Sequence, residues 1–208
     1  MRLRNVKGAN ERIEQSKYII KDYTNYKGKF NTLFNNKNKI YIEIGMGKGD
    51  FIINMAQLYP DINFIGIEKF DSVMVRAVEK LEQKEIPNLR LIKMDAREID
   101  QIFEKEISRI YLNFSDPWPK ERHSKRRLTS EIFLQKYDII LKTKEIIMKT
   151  DNRKLFEYSI KSLTDYGYKI DLLSLDLYKD DIKDNIQTEY EKKFTSMGNI
   201  IYKISVHK

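Results

Sequence analysis

The alternation of apolar and polar positions becomes regular near residue 39 and continues to the end of the chain. Short apolar runs rich in Ile predict strands, and apolar residues spaced three or four positions apart predict helices. The predicted strands are 39–44, 63–68, 89–94, 110–114, 145–150, 168–173 and 200–206. Helices are predicted to begin near residues 51, 73, 99, 130 and 153, where the helical spacing starts.

Strands that alternate with helices predict an α/β fold, in which a doubly wound, mostly parallel sheet carries helices on both faces. The last two of the seven predicted strands are consecutive, which allows an antiparallel edge hairpin. Residues 1–38 are polar and aromatic without clean periodicity. We therefore expect an N-terminal arm, partly mobile or folded as a loosely packed helix, before a single domain of residues 39–208.

Composition narrows the class of protein. The chain has 208 residues, no cysteine, a formal charge of +8 and a pI of about 9.3. The charge favours a polyanionic partner, and the absence of cysteine excludes disulfides and thiolate metal sites. No signal-peptide core or membrane-length apolar run is present, so we expect a cytoplasmic protein without a membrane partner. His123 and His207 are the only histidines, so no metal cofactor is expected.

The first predicted strand leads into a glycine-rich turn with the spacing G-x-G-x-G, at Gly45, Gly47 and Gly49. Dinucleotide-binding proteins use G-x-G-x-x-G, in which a pyrophosphate lies on the helix N-terminus. Here Glu43 and Asp50 flank the turn, and their charge suits a cationic ligand better than a pyrophosphate. A purely structural turn is the alternative interpretation.

The next two predicted strands also end in carboxylates. Glu68 lies where an acidic residue can accept both hydroxyls of a ribose, and Asp95 could accept from an adenine amine. Taken singly, a surface Glu and a helix-capping Asp are ordinary explanations. Three carboxylates at successive strand ends, together with the glycine turn, predict an adenosyl pocket.

The fourth predicted strand runs into Ser-Asp-Pro-Trp-Pro-Lys, residues 115–120, which contains the only Trp of the chain. Because two prolines stiffen this loop, Asp116 and Trp118 would be presented with little entropy left to lose on binding. Trp118 could stack on a planar base, and Asp116 could accept from a base edge. The basic loop that follows suits contact with RNA phosphates, although a solvated loop is the alternative.

These segments resemble the bacterial tRNA (guanine-N7)-methyltransferases. The resemblance runs nearly end to end, and the shared segments are 43–49, 66–68, 95–96, 111–120, 122–129, 149–152 and 188–194. Glycine turns and strand-end acids are common to all Rossmann-like methyltransferases. The Ser-Asp-Pro-Trp-Pro-Lys segment, its basic loop and the late Thr-Glu-Tyr-Glu segment are specific to this family.

The resemblance implies a Rossmann-like class I methyltransferase fold and transfer of a methyl group from S-adenosylmethionine to a guanine N7 in the tRNA variable loop, leaving S-adenosylhomocysteine. It implies a catalytic Asp116. The residues implied to bind the cofactor are Glu43, Gly45, Gly47, Glu68, Asp95, Ala96 and Asp116. Those implied to bind the guanine are Lys120, Asp151, Thr188, Glu189, Tyr190 and Glu191, and those implied to bind RNA are Arg122, His123, Ser124, Lys125, Arg126 and Arg127.

Alternative interpretations remain open at this point. Asp151 could be a helix N-cap, and Thr188 to Glu191 has the pattern of a capping box. The Asp-Pro-Trp-Pro loop is also similar to the loop of methyltransferases that act on exocyclic amines. A noncatalytic RNA-binding module would keep the fold without cofactor binding, and a nicotinamide oxidoreductase fits the glycine spacing least well. Family members occur as monomers and as homodimers, and the sequence does not choose between them.

Overall fold

The computed structural model describes residues 6–180, 182 and 185–208. Within these residues one sheet contains seven strands: β1 (Ile40–Ile44), β2 (Asn63–Glu68), β3 (Leu89–Lys93), β4 (Ile107–Asn113), β5 (Glu145–Thr150), β6 (Lys169–Ser174) and β7 (Tyr202–His207). The strand order is β3-β2-β1-β4-β5-β7-β6, and β7 is antiparallel to both of its neighbours. The order reverses direction between β1 and β4, the place where α/β sheets bind ligands.

Seven α-helices accompany these strands in the described part of the chain: α1 (Ala9–Gln15), α2 (Asp50–Leu58), α3 (Asp71–Leu81), α4 (Ile99–Ile102), α5 (Glu131–Ile140), α6 (Arg153–Asp165) and α7 (Glu189–Thr195). Shorter 3-10 helices occupy Tyr23–Tyr26, Phe30–Phe34, Ala96–Glu98 and Glu121–Arg126. None of the described helices is long and apolar enough to span a bilayer.

Helices cover both faces of the sheet, and this explains why β1 is apolar at every position except Glu43. Ile40, Ile42 and Ile44 pack into one core with side chains of α4, α5 and α6. Tyr41, which points to the opposite face, packs into a second core with α1, α2 and α3. Because successive side chains alternate between faces, a strand buried on both sides has no position at which water selects a polar residue.

The predicted seven-stranded, mostly parallel sheet with helices on both faces and an antiparallel edge hairpin is confirmed. Strand β4 begins at Ile107, earlier than predicted, because backbone pairing with β1 continues through the polar residues Ser108 and Arg109. The guanidinium of Arg109 lies 4.6 Å from the ring centroid of Tyr41 and pairs with Glu145. Helix α7 has too few apolar residues for its periodicity to predict it.

The segment before the regular pattern packs along the sheet. Ile13 and Phe30 are fully buried, one in each core. Tyr18 accepts a backbone hydrogen bond from Leu91 at 2.7 Å, and Ile20 donates to Leu91 at 2.9 Å, so this segment extends the β3 edge. Residues 1–5 of the predicted arm lie outside the described residues, and partial mobility of the arm stays a prediction.

Gly49 offers a test of how tightly α2 packs on α3. Its φ is +79°, and a Cβ there would lie 2.8 Å from the Cβ of Ala77. We expect Gly49→Ala to lower the free energy of unfolding by about 2–5 kcal/mol, from backbone strain and overpacking together. Gly198→Ala is the matched control, because Gly198 has φ +81° and open space around it. Urea denaturation should show the smaller loss there, about 1–2 kcal/mol; equal losses would contradict the packing argument.

Candidate active site

The glycine turn after β1 is open toward the carboxyl edge of the sheet. Gly45 and Gly47 have φ of +77° and +58°, and a Cβ at either position would meet no atom within 4 Å. Gly49 instead packs closely against α3, so the three glycines have two different functions. The first two leave bare backbone facing free space, which a ligand can approach closely.

Glu43 lies beneath this turn and is 1% exposed. Its Oε1 accepts from Asn113 Nδ2 at 2.8 Å, which joins the carboxyl ends of β1 and β4. Its Oε2 and the Oδ1 of Asn113 are buried and have no hydrogen-bond partner among the described residues. Burial raises the pKa of Glu43 to about 8, although the Asn113 hydrogen bond and the charge of Lys149 oppose the shift. When the carboxyl is ionised, Glu43 Oε2 and Asn113 Oδ1 are two adjacent, unsatisfied acceptors, which suit an incoming cationic donor.

Glu68 is held at the end of β2 by backbone N–H groups. Its Oε1 accepts from Lys69 at 2.7 Å and Phe70 at 3.0 Å, and its Oε2 accepts from Gly47 at 3.1 Å. Burial raises its pKa, the backbone hydrogen bonds lower it, and the nearby charge of Asp116 raises it further. Three of the roughly four lone-pair sites of the carboxylate are used, so one remains free on Oε2. Glu68 therefore links the glycine turn to the ligand edge with acceptor capacity to spare.

Asp95 lies at the end of the β3 segment and is engaged by cations. Its Oδ2 accepts from Arg97 at 2.8 Å and from Lys69 at 2.7 Å, and its Oδ1 caps the following 3-10 helix through the Arg97 N–H at 3.0 Å. The Arg97 hydrogen bond is the main reason that its pKa lies well below the usual range. The capping interpretation is confirmed, and Ala96 follows directly in the capped turn.

The loop after β4 presents Asp116 to solvent. Asp116 is exposed, and its carboxylate accepts no hydrogen bond from the described part of the chain. Phe114 and Trp118, on either side of it, have φ of +51° and +42°, a region that bulky side chains rarely adopt. Such conformations cost about 1–3 kcal/mol each and persist only where neighbouring contacts enforce them.

Arg127 supplies those contacts at the far end of the loop. It is 8% exposed, and its guanidinium donates to the carbonyls of Pro117 at 3.2 Å and Trp118 at 3.1 Å. The guanidinium also lies 4.2 Å from the ring centroid of Tyr158. Two of its five N–H donors are therefore turned inward, where they hold the strained loop, and RNA binding by Arg127 stays a prediction.

The remaining residues of the basic loop form the 3-10 helix Glu121–Arg126, preceded by the exposed Lys120. Arg122, Lys125 and Arg126 are exposed, whereas His123 and Ser124 are half-buried. Arg126 lies 4.8 Å above the Trp118 ring, and His123 meets the ring edge-on at 5.8 Å. The guanidinium of Arg126 therefore covers one face of the Trp118 ring, and less of the ring is open to stacking by a base than the sequence predicts.

Helix α7 brings the late Thr-Glu-Tyr-Glu segment to the same edge. Thr188 Oγ1 accepts from the Glu191 N–H at 2.9 Å, and Glu191 Oε2 accepts from the Thr188 N–H at 3.3 Å. The capping-box interpretation is thereby confirmed. Glu191 is fully buried and pairs with Lys149 at 2.6 Å. Its carboxylate faces the interior, so Glu191 would contribute to a guanine pocket by holding the start of α7 in place.

Glu189 and Tyr190 are the exposed members of that segment. Glu189 pairs with Lys48 of the glycine turn at 2.5 Å, and the Tyr190 hydroxyl donates to Asp151 at 3.3 Å. Asp151 is not the cap of α6, because Asn152 Oδ1 accepts from the Leu155 N–H at 2.9 Å instead. The helix-cap alternative for Asp151 is therefore wrong, and its carboxylate faces α7.

At the start of α5, too, the residue that could cap the helix makes a different hydrogen bond. Ser130 is the residue before the helix, as predicted, but its hydroxyl donates to the Lys125 carbonyl at 3.1 Å and makes no capping hydrogen bond. The hydroxyl thereby ties α5 to the end of the basic loop.

Comparison with known proteins decides the family. A family model described as "Putative methyltransferase" matches residues 37–204. The chain is 52% identical over 209 residues to the tRNA (guanine-N(7)-)-methyltransferase of Bacillus velezensis, with coverage of 99% of this chain and 96% of that one. It is 49% identical over 209 residues to the enzyme of the same name from Bacillus subtilis, covering 99% and 98%. The chain belongs to the tRNA (guanine-N7-)-methyltransferase family.

A solved structure of an antibiotic-related methyltransferase has a TM-score of 0.67 to this family member, at 17% identity over 87% of this chain and 94% of the other. At that identity the likeness concerns the fold alone. It confirms the Rossmann-like class I methyltransferase fold that the sequence predicts.

Several residues that shape the site of this tRNA (guanine-N7-)-methyltransferase family member received no role from its sequence. Asn113 completes the Glu43 pair, Lys149 neutralises Glu191, and Lys69 engages Asp95. A signal was available for the first two, because each is a polar residue that directly follows three apolar ones near the carboxyl end of its strand. No sequence signal marks Arg127 as different from its basic neighbours.

The raised pKa of Glu43 predicts a pH-dependent stability. In the unfolded chain this carboxyl has a pKa near 4.5 and in the folded protein about 8, so folding favours the protonated form. Its stabilising contribution is complete below about 4.5 and is lost as pH rises toward 8. We expect the Tm of wild type to fall relative to Glu43→Gln by roughly 3 °C or more per pH unit between pH 6 and 8. Parallel melting curves for the two proteins would contradict this.

The inward Arg127 predicts a division within the basic loop. We expect Arg127→Met to lower the free energy of unfolding by about 2–4 kcal/mol, because two partly buried carbonyls lose their donor and the loop loses its restraint. Lys125→Met is the matched control, since Lys125 is exposed and its ammonium pairs with no described residue. Chemical denaturation should place it within about 0.5 kcal/mol of wild type. If both variants behaved alike, Arg127 would not be holding the loop.

Proposed function

We propose that this chain transfers the methyl group of S-adenosylmethionine to N7 of a guanine in the tRNA variable loop, forming N7-methylguanosine. The observation that supports it most directly is the convergence at one sheet edge of a half-satisfied Glu43–Asn113 pair and a free Asp116 carboxylate. Relatives about half identical over nearly the whole chain carry the matching name.

The residues at this edge fit S-adenosylmethionine. The unpartnered Glu43 and Asn113 oxygens would accept from its amino group, and the bare turn at Gly45 and Gly47 would lie beside its methionine part. Glu68 would accept from the ribose hydroxyls. Asp95 and Ala96, at the end of the next strand, would contact the adenine. When bound, the cofactor supplies a methyl group activated on a positively charged sulfur.

Guanine N7 carries a lone pair and no proton, so its attack on the methyl group needs no general base. The task of the protein is to hold N7 in line with the methyl group and to stabilise charge that moves onto the purine. Asp116 is suited to this task because its carboxylate is presented on a restrained loop without a competing partner. We assign it contact with both the guanine and the cofactor.

The guanine would be held by residues on three elements around Asp116. Lys120 extends from the same loop, Asp151 from the end of β5, and Thr188 to Glu191 from the start of α7. Within the last segment, Glu189 and Tyr190 are exposed and would contact the base, whereas Thr188 and Glu191 shape the segment from beneath. No metal is assigned a role.

The RNA backbone would lie along the basic loop. Arg122, Lys125 and Arg126 are exposed there and would meet phosphates, with His123 and Ser124 beside them. Two of the five N–H donors of Arg127 already bind carbonyls, and RNA binding by Arg127 stays a prediction. We expect the enzyme to act in the cytoplasm on tRNA, as a monomer or homodimer.

The function is tested by incubating the purified chain with unmodified bulk tRNA and S-adenosylmethionine carrying a labelled methyl group. N7-methylguanosine makes its nucleotide labile to base, so cleavage followed by sequencing locates the product. Label with cleavage in the variable loop supports the proposal. Label without such cleavage would indicate transfer to an exocyclic amine, and absence of label despite cofactor binding would indicate an RNA-binding protein without this activity.

Asp116→Asn tests the central role of this carboxylate. The substitution keeps the size of the side chain and removes its charge, so we expect kcat to fall by about 100-fold or more while tRNA affinity changes little. Lys125→Met should have the opposite effect: tRNA binding should be weaker and kcat should stay near normal, because Lys125 is proposed to contact phosphates. Methyl transfer at saturating tRNA measures the first effect, and normal turnover of Asp116→Asn would remove the charge-stabilising role.

A further inference from the structure

Lys149 is a lysine whose ammonium lies inside the protein at the floor of the site. The residue is 2% exposed, and burial lowers its pKa. Its Nζ donates to Asn185 Oδ1 at 3.1 Å, the Ile186 carbonyl at 2.8 Å and Glu191 Oε2 at 2.6 Å. An ammonium has three donors, and all three are used. Every acceptor belongs to one segment, residues 185–191, which connects β6 to β7 and contains the start of α7.

Glu191 makes further hydrogen bonds within residues 185–191 and to Tyr178. Its Oε1 accepts from Tyr178 Oη at 2.7 Å and Asn185 Nδ2 at 2.7 Å, while its Oε2 meets Lys149 and the Thr188 N–H. A movement of α7 relative to β5 would therefore break a buried hydrogen bond to a charged group. Breaking one partner of such a pair is costly, because the other charge remains buried.

Lys149 also holds the loop that carries Asp116. Its carbonyl accepts from the Phe114 N–H at 2.8 Å, at the residue where φ is +51°. The Phe114 ring in turn packs on Tyr190 of α7, with centroids 4.9 Å apart. One residue of β5 therefore fixes both walls of the proposed guanine pocket, the Asp116 loop through its backbone and α7 through its side chain.

Stability alone does not account for this arrangement. Buried ion pairs can often be replaced by apolar residues of similar size with little loss of stability, because desolvation offsets the attraction. What the pair supplies is a defined position, since an ammonium with three fixed acceptors holds a segment in one register. A methyl transfer that depends on in-line alignment is sensitive to displacements of about 1 Å.

From these contacts we infer that Lys149 is a positioning residue for methyl transfer, whose buried ammonium keeps residues 185–191 aligned with the Asp116 loop. It touches neither cofactor nor guanine. The inference rests on the proposed function, and it assigns a role to a residue outside the implied cofactor and guanine contacts.

The test uses the full-length double variant Lys149→Met/Glu191→Gln. Both charges are removed together, so neither is left buried alone, and the net charge near Glu43 is conserved. Gln at position 191 still suits a capping box. Lys169→Met is the control, because Lys169 is exposed at the start of the edge strand β6 and its ammonium pairs with no described residue. Amide hydrogen exchange of residues 185–195, cofactor and tRNA affinity, kcat and Tm are measured for each protein.

We expect the double variant to exchange residues 185–195 at least about 10-fold faster and to lose about 10- to 100-fold in kcat. Its tRNA affinity should change by less than about threefold, since phosphate contacts dominate binding. Lys169→Met should match wild type in both hydrogen exchange and kcat. A loss of Tm without a loss of kcat below the melting range would mean a merely structural lysine, and overturn the inference.

Unchanged exchange in the double variant, or faster exchange with normal kcat, would also overturn it. The single variant Asn185→Ala, which removes one acceptor of the ammonium and leaves the ion pair in place, serves if the double variant does not fold, with the same expected direction. Failure of the proposed function is distinguishable, because wild type itself would then form no N7-methylguanosine, while hydrogen exchange would still report whether Lys149 holds the segment.

Discussion

Buried charged groups can be kept at the carboxyl edge of this sheet because donors or opposite charges lie beside them. Lys149 and Glu191 neutralise one another beneath α7, and Glu68 is satisfied by backbone N–H groups. Glu43 is the exception, with one oxygen unpaired and a pKa raised to about 8 by burial. All but one of the buried acids at this edge are satisfied, so the unmet hydrogen-bonding capacity of the buried groups is concentrated at Glu43, where the cofactor is proposed to bind.

Buried basic residues also hold the backbone strain of the Asp116 loop in place. Phe114 and Trp118 flank the exposed Asp116 in left-handed conformations. The first is held by the Lys149 carbonyl and the second by the Arg127 guanidinium. A carboxylate presented in this way has lost its conformational freedom during folding, so little remains to be lost when a base binds. Positioning of this kind is what a reaction without a general base requires of its protein.

The division of the basic loop follows from packing. Six consecutive residues carry similar sequence signals, yet Arg127 is buried against Tyr158 while Lys125 is exposed. Helix α7 likewise presents Glu189 and Tyr190 outward and Glu191 inward. A pocket built by α7 and the Asp116 loop is therefore assembled from residues far apart in sequence, with β5 between them.

The sequence by itself determined the seven strands and the helices α2 to α6 between them, because apolar periodicity records which faces are buried. It also indicated the strand-end acids and the glycine turn, since parallel strands bring such residues to one edge. Only the tertiary structure decided the partners of Lys149, the inward turn of Arg127 and the cap supplied by Asn152 rather than Asp151. These depend on distances between segments that are remote along the chain, and a local pattern of residue types carries no information about such distances.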